Sequence, residues 1–159
     1  MLDLIAFPDH SRIWIYTSDQ KISDESVAEI HHRISNFCRQ WKSHNQPVKA
    51  TGGLLHQYFL IFVVDENAST LGGCSIDDSV HFVQQLGRHY NVDFLNRTGV
   101  CYLQNDEVKY FKLSHISELI NSGIISENTM VFDSTVKNKD EFLKHWVKPI
   151  KETWVNRFC

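Results

Sequence analysis

An α+β fold, with an antiparallel sheet backed by helices, is predicted by three features of the sequence. Residues 58–64, Tyr-Phe-Leu-Ile-Phe-Val-Val, are apolar at every position, the pattern of a strand buried on both faces. Val27, Ile30, Ile34, Phe37, Cys38 and Trp41 recur at spacings of three and four, which places one apolar stripe along a helix. Two short runs on either side of Asn105-Asp106 read as a hairpin, because Asn and Asp tolerate the positive φ that a tight turn demands.

Taken in order, residues 12–18 alternate Ile13 and Ile15 with Trp14 and Tyr16, the period of two of a strand. Ser23 offers a helix N-cap, and Asp24 and Glu25 suit the positive end of the helix dipole. That helix is expected to run to His44-Asn45. Two strands then fold back on each other between Val48 and Asp65. Gly52-Gly53 and His56-Gln57 both qualify as the turn, and His56-Gln57 is preferred because it leaves strands of matched length. A polar loop over 65–73 leads to a second helix, for which Ser75 is the expected cap, Asp78 its capping-box partner, and Ile76, Val80, Val83 and Leu86 the inward face. After the hairpin come a short helix over 114–122 stopped by Gly123, a strand over 129–132, and a helix carrying Phe142, Leu143, Trp146 and Val147 that Pro149 ends or kinks. The order through residue 104 is βαββαβ, which predicts a ferredoxin-like split βαβ core. Residues 1–97 form this lobe, and 98–159 form a hairpin-helix-strand lobe packed on it.

With 159 residues and 42% hydrophobic content, the chain can fill a core without disulfides. Cys38, Cys74, Cys101 and Cys159 form no C-x-x-C pair, so reduced thiols are expected, with neither a zinc knuckle nor a redox pair. The net charge of −3 argues against nucleic acid as a partner, since phosphate binding calls for a basic face. The N-terminal stretch has no basic region followed by a long apolar run, and no apolar run is long enough to cross a bilayer. The expectation is a soluble cytoplasmic protein.

The runs Arg12-Ile13-Trp14-Ile15-Tyr16, Val64-Asp65-Glu66, Gly73-Cys74-Ser75-Ile76-Asp77-Asp78-Ser79-Val80 and the closing 146–154 stretch resemble a family of short bacterial proteins often labelled ABC transporter ATPases. No ATPase apparatus is carried over. A P-loop needs G-x-x-x-x-G-K-[ST] to wrap phosphate, and no glycine here is followed by lysine. Residues 108–132, with Leu113-Ser114, Glu118-Leu119-Ile120, Gly123-Ile124 and Met130-Val131-Phe132, are similar to bacterial GYF-type domains, without the Gly-Tyr-Phe element. That likeness implies a small partner-binding lobe.

Candidate chemistry centres on residues 65–81. Cys74 follows two glycines near a helix N-terminus, where a helix dipole acidifies a thiol, although Asp77 and Asp78 oppose a thiolate there. Asp65, Glu66 and Asp77 offer carboxylates to a hard cation, without EF-hand or other metal spacing, and no metal or cofactor is expected. Nine histidines form no H-x-x-x-H or H-E-x-x-H pair; His81, nearly two turns past Ser75, is the one retained beside Cys74 and Asp77 as a catalytic candidate. Asp65, Ser75 and Arg97 are the ligand-binding candidates, Arg97 reaching an anion or Asp65. Trp14, Tyr16, Trp41, Trp146 and Trp154 exceed what a small core requires, and exposed tryptophans mark binding surfaces. The sequence therefore reads first as a non-catalytic binding or adaptor protein with a protein or peptide partner. A metal-dependent hydrolase at 65–81 is the second reading, and a ligand-sensing homodimer the third.

Overall fold

The computed structural model describes residues 2–68 and 70–159; Met1, in the N-terminal stretch, and Ser69, in the polar loop before the second helix, lie outside the described residues. Strand β1 (Arg12–Thr17) leads to helix α1 (Asp24–Gln40), which buries Ile30, Ile34 and Cys38. The expected extension of α1 to His44-Asn45 is corrected: Trp41 leaves the helical region at φ −68° and ψ 128°. His44 and Asn45 take positive φ and turn the chain between two-residue strands β2 (Lys42–Ser43) and β3 (Gln46–Pro47). Trp41 O is taken by Val48 N–H at 2.9 Å from beyond the β2–β3 turn, and the Trp41 indole N–H donates to Ser75 O at 2.9 Å.

Strands β4 (Ala50–Leu55) and β5 (Phe59–Val64) form a hairpin whose turn is His56-Gln57, both at positive φ. Gly52 and Gly53 lie within β4, where they let α1 come close. A Cβ at Gly52 would stand 2.8 Å from Ile34 Cγ2 and 2.9 Å from Ile61 O. Gly52→Ala is therefore expected to cost about 1–3 kcal/mol, measured by urea unfolding. A neutral substitution would show that α1 does not need this approach.

Helix α2 (Gly73–Tyr90) begins three residues earlier than expected. Gly72 is the N-cap, no side chain caps this end, and the Asp78 capping box does not form. Ser75 is buried inside the helix, its hydroxyl donating to Lys42 O at 3.0 Å. The β2–β3 hairpin competes successfully for the hydroxyl that a cap would have used. Asn91 ends α2 in the left-handed conformation.

The C-terminal lobe is built on β6 (Gly99–Gln104) and β7 (Glu107–Lys112), paired over six positions around Asn105-Asp106. A 3₁₀ turn and α3 (Ile116–Asn121) follow, and Gly123 at φ +78° ends them. Strand β8 (Met130–Phe132), α4 (Lys139–His145) and β9 (Val147–Pro149) complete the regular elements, apart from short 3₁₀ turns near the C-terminus. The expected helix through Trp146 and Val147 is corrected: α4 ends at His145, and Val147 begins β9, which pairs with β8.

Two principal antiparallel sheets result, with strand orders β1-β5-β4 and β7-β6-β8-β9. The fold is thus α+β. The expected ferredoxin-like four-stranded sheet departs at its last strand: β6 pairs with β7 on one edge and β8 on the other, so neither edge is free for β1. Alternation along the first sheet sends Leu60 and Phe62 toward α1 and α2, and Phe59, Ile61 and Val63 toward the C-terminal lobe. The second group shares one apolar cluster with Ile13, Cys101, Phe132, Phe142 and Trp146. The two sheets share that core, which is why all six residues of β5 are buried.

Candidate interlobe cleft beside strand β1

Strand β1 has β5 on one side only. Ser18 N–H donates to Tyr58 O at 2.8 Å, toward the sheet, whereas Ile13 N–H donates away from it, to Lys137 O at 2.9 Å. Main-chain direction alternates along a strand, so Trp14 and Tyr16 bond toward β5 while Ile15 and Thr17 present N–H and C=O at the outer edge. Other chain segments cross that edge at each end. Lys139 N–H donates to Ser11 O at 2.9 Å and Arg12 lies opposite Asn138. Beyond β1, Asp19 N–H donates to Asp93 O at 3.2 Å, and Asp93 N–H returns to the Asp19 carboxylate at 2.9 Å. Between these crossings, among the described residues, no group bonds the N–H or C=O of Ile15 or the N–H of Thr17.

That open stretch borders a cleft of about 1060 Å³. Ile76 and Val80 of α2, Phe94 to Arg97, the start of β6, residues 134–138 and Trp154 form the facing walls. Thr17 Oγ1 and Ser134 Oγ, 3.1 Å apart, tie the two lobes across it. The aromatic lining is Trp14, Tyr16, Phe94, Phe132 and Trp154, and the Arg12 guanidinium stacks 4.4 Å from the Trp14 ring centroid while pairing with Glu66 at 3.4 Å. Trp154 keeps a buried indole N–H without an acceptor among the described residues. Burial pushes the Tyr16 phenol up, against a Ser79 hydrogen bond and the charge of Arg97. Burial likewise pushes the Cys101 thiol, in the cleft wall, well above its ordinary range, so it stays a protonated, unreactive group.

The residues singled out from the sequence are distributed differently. Arg97 is exposed and lines the cleft. Cys74, Asp77 and His81 are exposed on α2, outside the cleft lining. Asp65 is buried, its carboxylate accepting from Asn67 N–H at 3.0 Å and facing Lys49 Nζ at 3.6 Å. Ser75 is committed to Lys42 O. Among the described residues, no hydrogen bond or ion pair joins Asp65, Cys74, Asp77 and His81, and no group of three His, Cys, Asp or Glu side chains is placed to hold a metal ion. Thr17, Ser134 and Lys137 belong to the cleft but carry no signal in the sequence, since polar residues in loops and at a strand end show no period. Trp14, Tyr16 and Trp154 were legible only as part of an aromatic excess.

No family model, curated protein or solved structure matches this chain. Among the described residues, no helix is long and apolar enough to cross a membrane.

Proposed function

We propose that the protein is a binding module that takes up an extended segment of a partner protein by strand addition to the outer edge of β1. The observation that carries this reading is the unpaired Ile15–Thr17 edge bordering a cleft of about 1060 Å³. Unpaired strand edges are templates for another chain, and main-chain hydrogen bonds supply the affinity. In a complete split βαβ sheet the fourth strand would lie beside β1; we read the first lobe as such a unit with that slot left to the partner. From Ile13 to Asp19 the slot spans about 20 Å, enough for a short strand whose ends must leave through the mouth of the cleft. Residues 137–139 and Asp93 close the edge at both ends, which disfavours long two-fold pairing of β1 with a second copy. Trp14, Tyr16, Ile76 and Val80 give the incoming side chains an apolar wall.

Amide hydrogen exchange tests this at residue resolution. In the free protein, Ile15 and Thr17 amides should exchange much faster than those of Trp14 and Tyr16, despite sharing one strand. Peptides selected from a random display library should slow Ile15 and Thr17 at least about tenfold. Slow exchange at Ile15 and Thr17 in a monomeric free protein, or selected peptides that bind while leaving both amides unprotected, would overturn the proposal. Protection that appears without peptide and tracks self-association in light scattering would assign the edge to a second copy instead.

A further inference from the structure

Resting on the strand-addition reading, we infer that the segment taken up is acidic on both sides of an apolar centre. The cleft lining carries Arg12, Arg97 and Lys137 against the single carboxylate of Glu66, in a chain whose net charge is −3. This is a local reversal of the protein's overall sign. Arg12 is already engaged by Glu66 and Trp14. Arg97 and Lys137 are exposed, and neither forms an ion pair among the described residues.

Their placement follows the strand. Lys137 contributes the carbonyl that receives Ile13 N–H, at the start of the open edge. Arg97 lines the cleft four residues after Asp93, which meets Asp19 beyond the other end of the open edge. Between them the wall is apolar, with Trp14, Ile76 and Val80. A strand seated on Ile15 and Thr17 thus brings its flanking residues to two unpaired cations and its centre to aromatic and aliphatic surface. Charges so placed at a rim govern association rate and partner choice more than total affinity. Carboxylates at both flanks are favoured, and lysines there are repelled.

The probes are three short synthetic peptides with the same alternating Val-Thr centre, flanked by Glu, by Lys or by Ser on both sides, titrated by fluorescence anisotropy with amide exchange in parallel. The Glu-flanked peptide is expected to bind at least about tenfold tighter than the Lys-flanked one at low salt, and the gap should narrow at high salt. Arg97→Gln and Lys137→Gln should each weaken the Glu-flanked peptide several-fold without altering the Ser-flanked one. Equal affinities for all three peptides, with Ile15 and Thr17 protected, would overturn the charge inference and leave strand addition standing. If none of the three protects Ile15 and Thr17, both fall.

Discussion

Trp146→Ala should destabilise the protein by about 3–5 kcal/mol, and both lobes should unfold together. Trp146 is buried between them, its ring 4.9 Å from Phe59, 4.8 Å from Phe132 and 4.6 Å from Phe142. His56 completes the cluster at 6.0 Å, and burial holds its imidazole below the usual histidine range. Phe59 belongs to the first sheet, Phe132 to the second and Phe142 to α4, so truncation opens a cavity where all three meet. Trp146→Phe should cost much less, because the buried indole N–H of Trp146 has no acceptor among the described residues and its removal relieves a desolvated donor. Urea unfolding followed separately by probes in each lobe measures both effects. Two separate transitions, or a loss below about 1 kcal/mol in Trp146→Ala, would show that the lobes do not depend on this contact.

Lys148→Met is the second large effect, expected at about 3 kcal/mol near neutral pH. Lys148 Nζ lies 2.9 Å from Asp133 Oδ2, a carboxylate whose side chain is 6% exposed. Methionine keeps the length of the stem but leaves the charge unpaired, and a buried unpaired carboxylate costs more than the pair contributes. The 27% exposure of Lys148 admits water and sets the estimate at the low end. Burial pushes the Asp133 carboxyl up, but Lys148 and the Thr135 hydroxyl and N–H together hold it below its ordinary value of 3.8. In the wild type, the contribution of Asp133 is therefore present above about pH 4 and lost as pH falls through the lower folded value. In the variant, burial is opposed only by the Thr135 hydroxyl and N–H, and the folded value rises above that of the wild type. Its penalty is present at neutral pH and relieved as protonation neutralises the carboxylate. The gap between wild type and Lys148→Met should thus shrink from pH 7 toward pH 4, and a gap independent of pH would exclude the ion pair as its source.

The elements that were legible in the sequence are those with a local cause. The wholly apolar run of β5 requires cover on both faces, and it has it. The His56-Gln57 turn and the Gly123 stop also appear where strand matching and glycine freedom place them. Errors arose where a distant partner outbid a local preference. Trp41, expected within the helix, ends it, and Ser75, expected as a helix cap, lies inside a helix; there they meet each other and Lys42. Strand β9 was invisible because Val147, Lys148 and Pro149 are too few to show a period and include a residue that strand interiors avoid.

By itself the sequence determined an α+β chain with a doubly covered central strand, a local hairpin at Asn105-Asp106 and a surplus of aromatic residues, since periodicity and turn chemistry are properties of neighbouring residues. Only the tertiary structure decided that β6 pairs within the second sheet, that β1 keeps an unpaired edge, and that Arg97 and Lys137 line the cleft beside it. Strand pairing is settled by competition among segments far apart in the chain, and no local pattern records which edge is left over.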